Sequence, residues 1–81
     1  MKISVFNGYF ERIDSMQINA KRVYNSLDSG QTLSLESEWQ RTIKLDFYTQ
    51  SKLRLHAKID AECGMEHLHV RVDDKGKILV E

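Results

Sequence analysis

From Ile43 to Val80 apolar and polar residues alternate with few interruptions. Ile43, Leu45, Phe47, Leu53, Leu55, Ala57, Ile59, Leu68, Val70, Val72, Ile78 and Val80 fall on one face. Lys44, Asp46, Arg54, His56, Lys58, Asp60, His67, His69, Arg71 and Asp73 fall on the other. A period of two marks half-buried antiparallel strands, with one face on a core and one in water. A short loop at Thr49-Gln50-Ser51 sets Phe47 opposite Leu53, Leu45 opposite Leu55 and Ile43 opposite Ala57, and pairs Asp46 with Arg54. Sliding that register by two would oppose Lys44 and Lys58, and like charges directly across a ladder destabilise it. A turn at Cys63-Gly64 would then pair Ile59 with Leu68, Ala57 with Val70 and Leu55 with Val72. Asp74-Lys75-Gly76 reads as a three-residue hairpin loop with Gly76 in the left-handed position, which places Val72 opposite Ile78 and Val70 opposite Val80.

Upstream the pattern changes. Gln31–Trp39 continues the alternation as a further strand, and Asp28-Ser29-Gly30 before it reads as a helix stop. Ser15–Leu27 carries Met16, Ala20, Val23, Tyr24 and Leu27 at helical spacing. Asp14 with Gln17 fits a capping box, and Ile13 with Ile18 fits a hydrophobic staple. Asn7-Gly8, between Ile3-Ser4-Val5-Phe6 and Tyr9-Phe10, is a type I′ hairpin signal. A rival arrangement starts the helix at Tyr9, and a third replaces it by strands through Met16, Ile18 and Ala20. The expected fold is α+β: an antiparallel β-meander of about four to five strands with one amphipathic helix on its dry face, and a hairpin within residues 2–13.

Length and charge narrow the function classes. Eighty-one residues leave room for one core, so residues 1–81 are expected to form a single globular domain. Twelve basic and twelve acidic side chains cancel, which excludes the whole-molecule basic field of a duplex-binding domain. A lone cysteine, Cys63, cannot form an internal disulfide. That composition fits a reducing, cytoplasmic setting. No apolar run approaches the ~18 residues of a membrane span.

Catalytic chemistry finds little support. Glu62 and Glu66 flank Cys63 and would raise its thiol pKa, there is no G-x-S-x-G, and four scattered glycines make no phosphate-cradling loop. No enzyme activity and no cofactor are expected. His67-Leu68-His69 places two imidazoles on one strand face and opens a metal-binding reading, but the expected register puts cations between these rings and His56. The remaining feature is a basic row, Lys44–His56–Arg71, supported by Lys58 and His69. These five residues are the expected contact surface for another protein with an acidic surface. The leading reading is a non-enzymatic protein-binding module: an inhibitor, immunity or adaptor protein of phage- or plasmid-borne type. The alternative is a nucleic-acid binder using the same basic face, although only Tyr48 among the aromatics is expected to point outward there. Metal binding through His67 and His69 is the third.

Overall fold

The computed structural model describes residues 1–23, 26–38, 40–61, 64 and 66–80. Among them there is no helix, and the expected α+β architecture is overturned. Eight strands are present: Lys2–Asn7 (β1), Ile13–Ile18 (β2), Lys21–Val23 (β3), Thr32–Glu36 (β4), Thr42–Thr49 (β5), Arg54–Asp60 (β6), His67–Val72 (β7) and Ile78–Val80 (β8). They form two four-stranded sheets in the orders β4-β1-β7-β8 and β3-β2-β5-β6. The core joins Ile3, Val5, Leu68, Val70 and Val72 of the first sheet to Ile13, Met16, Ile18, Ile43, Leu45, Phe47 and Leu55 of the second. Each sheet covers the apolar face of the other, the task that had been assigned to a helix.

The helical spacing over 13–27 has a specific cause. β2 runs antiparallel to β5 with Ile13 opposite Thr49 and Ser15 opposite Tyr48, a register shift that marks a β-bulge. One extra residue at the bulge lets Ile13 and Met16, three apart, both reach the core. That mimics the first step of a helical stripe. Asn19 and Ala20 then both take positive φ, 52° and 64°, the signature of a type I′ turn, and β3 returns along β2. The strand arrangement through Met16 and Ile18 is thus the observed one, with Ala20 in the turn. Tyr24 lies outside the described residues, as do Trp39, Glu62 and Cys63.

The β5–β6 hairpin is displaced by two residues from its expected register. Phe47 faces Leu55, Leu45 faces Ala57, Ile43 faces Ile59, and Lys44 does face Lys58. Its loop is Gln50-Ser51-Lys52, not 49–51. Thr49 N–H donates to the Leu53 carbonyl (3.0 Å), Lys52 N–H donates to the Thr49 carbonyl (3.0 Å), and Lys52 takes the left-handed φ of 69°. A lysine gives no signal for that conformation. A two-residue slip preserves the dry face, except that Leu53, opposite Thr49 at the base of the loop, is 46% exposed.

β6 and β7 do not pair. β7 instead lies parallel to β1, with Ile3 opposite Leu68, Val5 opposite Val70 and Asn7 opposite Val72. Alternation reveals which face a strand buries but not its neighbour, so the missing helix and the wrong partner are one error. β7–β8 has the expected register, Val70 to Val80 and Val72 to Ile78, and Gly76 has φ 82°.

Asn7-Gly8 is not a hairpin turn. Asn7 is fully buried. Its Nδ2 donates to the carbonyls of Glu11 (2.9 Å) and Leu27 (3.0 Å), and its Oδ1 accepts from Tyr9 N–H (3.0 Å). Gly8 donates to the Val72 carbonyl at 2.8 Å, and a Cβ on Gly8 would stand 2.6 Å from that oxygen. The residue is glycine because two backbones meet there.

Candidate binding surfaces

The five residues expected to form one basic surface are divided between the two sheets. Lys44, His56 and Lys58 lie on β5 and β6, whereas His69 and Arg71 lie on β7 in the other sheet. The separation of β6 from β7 breaks the row.

On the outer face of β3-β2-β5-β6, the successive rows are Ser15–Tyr48–Arg54, Arg22–Gln17–Asp46–His56 and Lys44–Lys58. Asp46 sits at the centre, nearly buried. Its Oδ1 accepts from Arg54 Nε (3.0 Å) and Nη2 (2.8 Å), and lies 2.8 Å from His56 Nδ1. The Arg54 hydrogen bond, then the His56 contact, hold the Asp46 carboxyl below its ordinary pKa despite partial burial. The same carboxylate raises the Arg54 guanidinium. Lys44 and Lys58, exposed and directly opposed, form no ion pair among the described residues. The backbone of Lys44 is anchored by the β2–β3 turn: Asn19 Oδ1 accepts from Lys44 N–H (2.8 Å), and Asn19 N–H donates to the Lys44 carbonyl (2.9 Å).

A second surface lies at the loop end beyond β1 and β5. Phe10 is 73% exposed and Leu53 46%. The two loops are tied together. The Glu11 carboxylate accepts from Ser51 N–H (2.9 Å) and contacts Ser51 Oγ (3.1 Å), and Gln50 N–H donates to the Arg12 carbonyl (2.9 Å). Ser29 Oγ donates to the Tyr9 carbonyl (2.6 Å), and the Tyr9 and Phe10 ring centroids are 4.5 Å apart. The exposed ring is therefore carried by a braced loop. Neither Phe10 nor Leu53 was singled out in the sequence, since Phe10 read as hairpin strand and Leu53 as core.

The outer face of β4-β1-β7-β8 differs again. Its rows are Glu36–Lys2–His67, Ser34–Ser4–His69 and Thr32–Phe6–Arg71–Leu79. Phe6 is 37% exposed, and the His67 and His69 rings are nearly parallel with centroids 6.2 Å apart. Among the described residues no three His, Cys, Asp or Glu side chains converge as metal ligands. No helix there is long and apolar enough to cross a membrane. The chain matches no protein-family model, no curated protein and no solved structure.

Proposed function

We propose that the protein is a non-enzymatic protein-binding module, of inhibitor, immunity or adaptor kind, whose contact surface starts at Phe10 and continues along β6. One observation carries the reading: a phenylalanine 73% exposed on a loop braced by hydrogen bonds and by Tyr9. A rigid aromatic anchor loses little conformational freedom on docking and is a recurrent source of binding energy at interfaces. From Leu53 the chain enters β6, where Arg54, His56 and Lys58 are exposed and Lys44 lies across from Lys58. The opposed lysines weaken the free fold slightly, and an acidic partner would turn that cost into attraction. The partner is a protein with an apolar pocket for Phe10 bordered by carboxylates. The single cysteine fits a cytoplasmic setting. No cofactor enters this reading.

The test is quantitative affinity capture from the native host with three folded baits: wild type, Phe10→Ser and the double variant Lys44→Glu/Lys58→Glu. A single protein depleted from both variants supports the assignment. Titration of that protein should then show Phe10→Ser weakening binding by about 30-fold, the ~2 kcal/mol of an interface hot spot. Equal capture by wild type and Phe10→Ser refutes it. A concentration-dependent dimer lost in Phe10→Ser would instead make the partner a second copy of the chain.

A further inference from the structure

β6 ends its sheet, and the phase of its backbone follows from two hydrogen bonds at its ends. Thr49 N–H donates to the Leu53 carbonyl (3.0 Å), and Ala61 N–H donates to the Arg41 carbonyl (2.9 Å). In an antiparallel ladder a residue turns its N–H and C=O to the same side, and consecutive residues alternate. The odd-numbered residues of β6 therefore bond to β5, and Arg54, His56, Lys58 and Asp60 turn their peptide groups to the free edge. Among the described residues no strand pairs with that edge. It is also the longest edge of either sheet: β6 has seven residues, β4 five, and β3 and β8 three each.

The side chains along this edge are sorted by face. Leu55, Ala57 and Ile59 belong to the dry face, and Ala57 and Ile59 are only half-buried. β8, an edge of the other sheet, approaches β6, and its Val80 is 45% exposed. On the outer face Arg54 and His56 are already engaged by Asp46. Lys58 and Asp60 are exposed and form no ion pair among the described residues, and neither does Lys44 across from Lys58. The edge thus combines unpaired backbone donors and acceptors, half-covered apolar side chains, and unpaired charges of opposite sign at Lys58 and Asp60.

We propose that β6 receives an extended segment of the partner protein as an added antiparallel strand, with a carboxylate of that segment facing Lys58 and Lys44 and an amine facing Asp60. This geometry rests on the reading of β6 as part of the contact surface and adds how the partner is held. Antiparallel addition continues the pattern of the sheet, in which every neighbouring pair is antiparallel. In strand addition main-chain hydrogen bonds supply affinity, and alternate side chains supply selectivity. Apolar residues of the segment would cover Ala57 and Ile59 from the side. A second copy of the chain fits the edge less well. Two β6 strands paired over their full length would oppose Lys58 to His56 and bring both Lys44–Lys58 pairs together, and cations so placed deter self-pairing.

The probe is a capped peptide, acetyl-Lys-Val-Glu-Val-Thr-Val-Thr-amide, titrated into isotope-labelled protein. Its intended register sets lysine opposite Asp60, glutamate opposite Lys58, and valines opposite Ile59, Ala57 and Leu55. N-methylation of the valines blocks only the peptide's outward edge, and should leave binding intact while preventing aggregation. N-methylation of the glutamate and the central threonine removes donors to β6, and should abolish binding. The expected results are a Kd of about 1 mM or tighter, amide shifts centred on residues 54–60, and slowed hydrogen exchange at the His56 and Lys58 amides. Lys58→Glu relieves an opposed lysine pair and so keeps the fold, and it should weaken the valine-methylated peptide by at least about tenfold. No binding at ~5 mM peptide overturns strand addition, whereas a captured partner that depends on Phe10 would leave the protein-binding reading standing. Peptide binding beside capture indifferent to Phe10 would keep strand addition and refute the Phe10 anchor. Equal binding after methylation at glutamate and threonine also overturns the proposal, since side chains alone would then hold the peptide. A concentration-dependent dimer with protected His56 and Lys58 amides overturns it in favour of a second copy.

Discussion

Asn7→Asp separates two incompatible roles for one residue. In a type I′ turn, Asp-Gly serves as well as Asn-Gly, and the substitution would be nearly silent. In the observed fold, the Asn7 amide donates two hydrogen bonds to the carbonyls of Glu11 and Leu27 while its oxygen accepts from Tyr9 N–H. A carboxylate keeps the acceptor role but faces two carbonyl oxygens with no proton to offer. Removing all three bonds by Asn7→Ala should cost about 3 kcal/mol, at roughly 1 kcal/mol each. Asn7→Asp should exceed that at neutral pH, since the introduced charge is buried against the carbonyl oxygens of Glu11 and Leu27. Total stability for a chain of this length is about 4–12 kcal/mol, so the damage would be plain in urea denaturation. The pH dependence has a definite sign. The introduced carboxyl would have a folded-state pKa raised above its unfolded value of about 3.9. Its penalty is therefore smallest below that value and grows as pH rises toward the folded value. Denaturation of both variants at about pH 4 and pH 7 tests this, the lower point lying near the unfolded carboxyl value. An Asn7→Asp protein within ~0.5 kcal/mol of wild type at neutral pH would refute the buried clasp.

Asp46→Asn should cost about 1 kcal/mol at neutral pH, given the exposure of Arg54 and His56. Because the folded Asp46 pKa lies below 3.8, its contribution is present above that value and fades as pH falls through the lower folded value. Stability profiles of the two proteins should converge in acid, and a constant gap would contradict the assignment. Ala20→Gly should stabilise by roughly 0.5–1 kcal/mol, because Ala20 holds φ at 64° and glycine adopts that conformation freely. A lower denaturation midpoint would speak against the type I′ turn. Val70→Asp should unfold the domain while His69→Ala shifts stability by under about 0.5 kcal/mol, since Val70 is buried and His69 exposed. Circular dichroism distinguishes them, and comparable damage from both would mean the β7 faces are inverted.

Local patterning was legible where it needed no partner. The alternation of β5, β6 and β7 assigns Ile43, Leu45, Phe47, Leu55, Leu68, Val70 and Val72 to the dry face, and all are buried. The β7–β8 hairpin was legible to its register because Gly76 marks the left-handed position by residue type. Lys52, Asn19 and Ala20 adopt positive φ without glycine, so two other turns were misread. The bulge at Asp14 disguised a strand as a helix. Pairing between β1 and β7 has no local signal, and it decides where His69 and Arg71 stand relative to Lys44, His56 and Lys58. Phe10 escaped notice because exposure at a loop follows from how three loops brace one another, which composition does not encode.

The parallel pairing of β1 with β7 also constrains how the protein is made. Ile3 meets Leu68 across the sheet, so the two strands are synthesised about 65 residues apart, which at ~5–20 residues per second is roughly 3–13 s. During that interval β2–β3 and β5–β6 can close as local hairpins, and β4 can cover one edge of β1. The other edge, with the apolar side chains of Ile3 and Val5, must wait on the ribosome for β7 to emerge. A translational pause between β6 and β7 would prolong the exposure of a strand ready to pair with a neighbouring nascent chain. Yield in cells should therefore depend on codon choice and temperature over residues 61–66 as well as on the stability of the finished fold.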